Sequence, residues 1–237
     1  VAEYLPGYMA TLSAVDDSVG RVVTWLQERN LLESTLIIYM GDNGFAFGEH
    51  GLIDKRTAFD WSMRVPMLVH APGLVAPGQQ IDRVVANIDI APTMPDLAGV
   101  ARPPHMQGMS MLPVLRDARA PWRDSLLYEY YWEWSFPQTP TQFALRGERY
   151  KYVFTHGTWD VDMFFDLQAD PQESRNLIDD PAHQKTIQAM RAQLFAELEQ
   201  TGGLKVPLYP PRGPQMRLRH PQGSAAQPFP KGLTKTP

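Results

Sequence analysis

Two short, β-branched apolar runs constrain the first half of the chain. TLIIYM (residues 35–40) stops at Gly41, and VPMLVHAPG (65–73) stops at Pro72-Gly73. Runs of this length, bounded by polar residues and turn formers, read as strands. Leu12, Val15, Val19, Val22 and Leu26 recur at steps of three and four, so residues 8–29 read as an amphipathic helix that ends at Asn30. Continuous apolar strands alternating with helices predict an α/β architecture, a helix-covered and mainly parallel sheet whose ligands gather at the carboxyl ends of strands. Residues 41–44, GDNG, stand at such an end.

The pattern changes further along. From residue 126 the text becomes LLYEYYWEW, FALRGERYKYVF and MFFDL, aromatic runs joined by turn residues, which predict an antiparallel sheet with a hairpin at Gly147-Glu148-Arg149. Asp180-Pro181 opens a helix whose stripe is Ile187, Met190, Leu194 and Leu198, closed by Gly202-Gly203 and packed on that sheet. The expected organisation is therefore an α/β part over 1–122, a small α+β subdomain over 123–203, and an extended Pro/Gly-rich tail over 204–237 with too little apolar surface to offset ordering entropy.

Charge and composition narrow the function classes. With a net charge of −4 and no long block of lysine or arginine, the chain does not suit tracking a nucleic-acid backbone. No apolar run reaches the roughly 18 residues needed to span a bilayer. The start, VAEYLPGYM, lacks the charged and apolar regions of a signal peptide and begins at valine, so the chain is expected to be a fragment or a processed product. The absence of cysteine removes disulfides, thiolate metal sites and a cysteine nucleophile from these residues.

Asp42 and Asn43 offer up to three oxygen donors from adjacent residues, flanked by Gly41 and Gly44 that let the backbone turn sharply. Hard divalent cations want such ligands, although two are too few for the six to eight that calcium takes. The same four residues also suit an ordinary turn, because Asp, Asn and Gly dominate turns through local hydrogen bonds. His50, in GEHG, titrates near neutrality and suits either a general acid or anion contact, or a polar residue capping that turn.

The ordered series GDNG, GEHG, Lys55 and RVPMLVHAPG resembles the sulfatase family of the alkaline-phosphatase-like superfamily. LIDKRTAFDWSMRVPMLVHAPG, VVANIDIAPTMPDLAGV and QGMSMLPVLR are most similar to its N-acetylglucosamine-6-sulfatase branch, and FFDLQADPQESRNLI to its C-terminal subdomain, over residues 4–200 or so. The resemblance implies that Asp42 and Asn43 are two of four side chains holding an active-site calcium ion, and that Lys55 contacts the substrate sulfate. The chemistry agrees: as the S–O bond breaks, charge moves to the bridging oxygen, where a fixed ammonium stabilises it. Neighbouring Arg56 fits the same anion-binding role. His156, with Trp159 and Asp160, lies in the subdomain that borders the family's pocket and could contact a sugar, and Asp89 resembles a position that opens a helix.

Two family features are absent from these residues: the Cys/Ser-x-Pro-x-Arg motif that yields the formylglycine nucleophile, and two early aspartates that complete the calcium site. Without the aldehyde hydrate there is no covalent catalysis. The expectation is therefore the C-terminal half of a calcium-dependent, exported sulfatase acting on 6-O-sulfated N-acetylglucosamine of a glycan, whose partner is its own N-terminal half, and which is inactive alone. The alternatives are a phosphonate or phosphate ester hydrolase of the same superfamily and a non-catalytic glycan-binding module.

Overall fold

The computed structural model describes residues 4–133, 135–156 and 161–204. These form two compact units. One comprises the described residues up to Lys55 together with Arg64–Trp122; the other comprises Arg56–Met63 together with the described residues from Arg123 onward. Trp159 and Asp160, and the tail expected beyond Leu204, lie outside the described residues.

In the first unit, Leu5–Glu28 forms helix α1, followed by strands β1 (Ile37–Met40), β2 (Ala46–Phe47) and β3 (Ile53–Asp54). The short helix α2 (Asp60–Met63) belongs to the second unit, and the chain then returns to the first as β4 (Met67–His70), α3 (Ile90–Ala98) and α4 (Leu112–Arg116). α1 begins near Pro6 and ends where Asn30 takes a left-handed backbone, φ +55°. Its apolar stripe is present, yet none of its residues is buried.

The two expected strands form, but β1 and β4 pair antiparallel, with Ile37 opposite His70 and Met40 opposite Met67. This departs from the parallel pairing expected for them. An apolar run carries no information about its neighbour's direction, and here the intervening 26 residues fold back so that β4 retraces β1. Nor are the strands enclosed on two faces, since Leu68 and His70 are exposed. Every strand pair among the described residues is antiparallel. Ile38, Met67 and Val69 pack against the buried Met111, Leu112, Val114 and Leu115 of α4 and the residue before it. Asp89 is fully buried, and its carboxylate accepts from the amides of Ala86 at 2.8 Å and Met109 at 2.9 Å. It stands at the N-cap of α3, the helix-opening place that the resemblance implied, while its carboxylate fastens a 3-10 turn and the 106–111 loop rather than capping α3.

The second unit is a four-stranded antiparallel meander, β5 (Ser125–Tyr130), β6 (Thr141–Gly147), β7 (Tyr150–His156) and β8 (Met163–Asp166), with helix α5 (Gln184–Thr201). The hairpin turns at Glu148 and Arg149, between β6 and β7. Asp180 accepts from the amide of Ala182 at 2.9 Å to open the helical segment, and Gly202 closes it at φ +79°. Because side chains alternate along a strand, the sheet has two different covers. Phe143, Leu145, Tyr152, Phe154 and Phe164 meet Ile187, Leu194, Phe195 and Leu198 of α5. On the opposite face Ala144 and Val153 pack with Ala58, and Phe165 lies beside Phe59, so residues 56–63 cover that side.

No helix among the described residues is long and apolar enough to cross a membrane. Leu194 is wholly buried, so Leu194→Ala should cost about 2–5 kcal/mol, measured as a lower urea midpoint with unchanged slope. Asp166 accepts three contacts from the Arg149 guanidinium, the shortest 2.8 Å, and these hold its carboxyl below the ordinary value of 3.8 despite its burial. The unfolded chain then binds the proton first on acidification, so this stabilisation is present above pH 3.8 and is lost as the pH falls through the depressed folded value. Urea midpoints measured from about pH 5 down to pH 2.5 should decline less steeply in Asp166→Asn than in the parent chain.

Candidate functional site

β1 ends at Met40, and the chain leaves it through Gly41, whose amide donates to Pro66 O at 3.4 Å. A Cβ at Gly41 would sit 3.3 Å from two atoms of Val65, tighter than most real contacts, so glycine allows the loop to leave the strand this close to its neighbour. Asp42 Oδ1 accepts from the Asn43 amide at 2.9 Å, and Asn43 Nδ2 donates to Gly44 O at 2.8 Å. These local bonds fix both side chains on one turn, so the turn reading and the ligand reading of GDNG describe compatible geometry.

The eleven residues between Asn43 and Lys55 then close on themselves. β2 and β3 pair with Ala46 opposite Asp54, so the chain returns to its start. The tip is held by Gly48 N donating to Leu52 O at 2.8 Å and by Phe47 N donating to Glu49 Oε2 at 2.5 Å. His50 stands in this tip with a left-handed backbone, φ +53°, and is exposed. Lys55 comes back onto the turn: its Nζ donates to Asn43 Oδ1 at 3.1 Å, while its amide donates to Asp54 Oδ1 at 2.6 Å. The structure thus brings Asp42, Asn43 and Lys55 into one loop system and sets His50 at the hairpin tip.

Asp42 and Asn43 supply hard oxygens suited to a divalent cation, but only as part of a coordination shell. Among the described residues there is no group of three or more His, Cys, Asp or Glu side chains placed to hold a metal ion. Asn43 Oδ1 is shared with the Lys55 ammonium, so an oxygen-bearing anion placed here would meet that cation beside the two candidate ligands.

Arg56 belongs to the second unit although it follows Lys55 directly. Its guanidinium lies over the Phe136 ring, 3.3 Å from the centroid, and its Nε is 3.4 Å from Glu133 Oε1. His156, half-buried at the end of β7, stands opposite Thr141, whose Oγ1 accepts from the Trp132 amide at 2.8 Å.

Sequence reasoning passed over a group that the second unit buries. Lys151 Nζ, with no exposed side-chain surface, lies 2.6 Å from Asp60 Oδ1 and 2.5 Å from Glu173 Oε1, and donates to Ala58 O at 2.9 Å. Arg146 pairs with Asp60 Oδ2 at 3.0 Å. Burial alone would raise the Asp60 pKa, but Lys151 and Arg146 outweigh it and hold the carboxyl below its usual range. Burial dominates at Glu173 and raises its pKa against the pull of Lys151. The visible signal was the lysine inside YKYVF, a charge in an apolar strand.

A family model described as N-sulphoglucosamine sulphohydrolase, C-terminal, matches residues 48–200. An N-acetylglucosamine-6-O-sulfatase of Bacteroides thetaiotaomicron is 32% identical over 202 residues, 84% of this chain and 36% of that protein. The human N-acetylglucosamine-6-sulfatase is 42% identical over 134 residues, 55% of this chain and 24% of that protein. A solved structure described as a complex with its substrate, D-glucosamine-2-N,6-O-disulfate, superposes with a TM-score of 0.79 at 30% identity, covering 84% of this chain and 41% of that one. The chain spans about a third or less of the length of these curated relatives. With a family model over more than half its residues and sulfatases among its relatives in both sequence and structure, the chain belongs to the sulfatase family.

Proposed function

We propose that the whole protein carrying this chain is a calcium-dependent, exported sulfatase that hydrolyses the 6-O-sulfate ester of N-acetylglucosamine in a glycan. The observation that carries this reading is the Lys55 ammonium on Asn43 Oδ1, beside the Asp42 carboxylate, at the end of β1. In this reading Asp42 and Asn43 supply two of the calcium ligands, and the ion withdraws charge from the sulfate oxygens when bound. Lys55 stabilises charge on the departing sulfate. His50 serves as a proton donor or sulfate contact, Arg56 as a second anion-binding cation, and His156 with Trp159 as sugar contacts. The formylglycine nucleophile is supplied by residues other than these. Two relatives named for the same 6-sulfated sugar support the choice of substrate class.

The test is sulfate release from N-acetylglucosamine 6-sulfate by the whole protein, against a phosphate and a phosphonate monoester as comparators. Asp42→Ala and Lys55→Ala should each lower turnover by about 10²–10³-fold, the scale of losing one preorganised electrostatic contact. Faster turnover of the phosphorus esters would move the assignment to a phosphonate or phosphate hydrolase. Undiminished sulfate release by both variants would remove this loop from the mechanism.

A further inference from the structure

The loop that follows Lys55 is held by charges that no part of the proposed chemistry uses. Residues 56–63 lie on the β5–β8 sheet, and five polar bonds fasten them there. Ala58 N donates to Gln142 Oε1 at 3.1 Å, Lys151 donates to Ala58 O at 2.9 Å, Asp60 N donates to Glu173 Oε2 at 2.6 Å, and the Asp60 carboxylate bridges Lys151 and Arg146. Glu173 reaches this place from a left-handed backbone, φ +53°, and is 2% exposed. A non-glycine residue in that region is strained and persists only where its surroundings over-determine it. Two cations and two carboxylates balance, so the cluster is neutral as a set, and removing one member leaves a buried charge without its counterpart.

A neutral, strained, largely buried cluster is a costly way to cover a sheet that apolar side chains could cover. Its yield is specificity of position: both backbone groups of Ala58 and the amide of Asp60 are fixed to side chains from three other elements. Two residues before Ala58, Arg56 is kept over Phe136 and against Glu133. We infer that Asp60, Lys151 and Glu173 are positioning residues that hold the 56–60 backbone so that the Arg56 guanidinium presents its donors to an anionic sugar substituent. This rests on the reading of Arg56 as a substrate-binding cation. The planar guanidinium loses less freedom per bond formed when its base is fixed, which favours uniform substrate binding over a gain in the chemical step.

Two arms test this. In the 237-residue chain, Asp60→Asn keeps the side-chain shape and removes the charge that Lys151 and Arg146 meet. Amide hydrogen exchange at residues 58 and 60 should accelerate on the order of tenfold or more while the amides of β6 and β7 stay protected. Unchanged protection at both positions overturns the inference. Should Asp60→Asn fail to fold, Arg146→Met, which leaves the Lys151–Glu173 pair in place, is read by the same criterion. In the whole protein, Asp60→Asn should raise KM for the 6-sulfated sugar about tenfold with kcat changed far less, as Arg56→Ala should, and Asp60→Glu should recover part of the loss. A KM shift in Arg56→Ala without one in Asp60→Asn overturns the positioning role. If Arg56→Ala leaves KM unaltered, Arg56 does not bind substrate, and the exchange arm separates that failure from a failure of the anchor.

Discussion

A lysine ammonium with no exposed surface governs the second unit. Lys151 sits on the face of the sheet opposite α5, where alternation along β7 aims it, with Val153, at residues 56–63. Isolated there, the charge would carry a desolvation penalty of several kcal/mol. Asp60 and Glu173 compensate it, and each is brought there by a different stretch of chain. The sheet is therefore complete only when Asp60, from before β4, and Glu173, from after β8, have both arrived. The aromatic face under α5 makes no such demand, because apolar packing tolerates substitution of similar volume where a buried charge network does not.

The loop after β1 works on different physics. Apart from the buried Ala46 it is exposed or half-buried, and its order comes from short-range hydrogen bonds, a hairpin of two-residue strands and glycines that accept left-handed or crowded backbone. Lys55 and Asn43 meet because β2 and β3 fold the intervening residues back on themselves, which turns a spacing along the chain into a contact across it. One loop thus holds a carboxylate, an amide oxygen and an ammonium together, the groups that the proposed function assigns to cation and sulfate binding, while the donors needed to complete a calcium shell exceed what this turn offers.

Much of this was legible in the residues. The antiparallel meander, its hairpin at 148–149, α5 with its stripe and the helix before β1 all follow from periodicity and turn residues, because each is a local pattern with a local cause. The direction of the β1–β4 pair was not legible, since an apolar strand looks the same read beside a parallel or an antiparallel neighbour. The absence of buried residues on α1 was equally hidden, because an apolar stripe records a capacity for burial and not the partner that provides it. The Asn43–Lys55 contact was anticipated only as a spacing. The Lys151 cluster was missed because its members are 91 and 22 residues from Lys151 in sequence, and nothing local links a glutamate in DPQES to a lysine in YKYVF.

The interleaving of the two units bears on how the chain acquires its structure during synthesis. Residues 56–63 emerge well before the strands that receive them, so the segment must wait through at least the 59 residues between Met63 and Arg123 before its sheet exists. Closing a loop of that length costs conformational entropy that grows only as the logarithm of its size, yet it delays the non-local contacts that offset the loss. The meander and α5 can assemble from neighbours in sequence, whereas the seating of Asp60 on Lys151 is a late, long-range event. Seating of residues 56–63 is thereby tied to completion of the C-terminal sheet, and a nascent chain that stalls before β7 carries the turn at 41–44 without the sheet on which residues 56–63 rest.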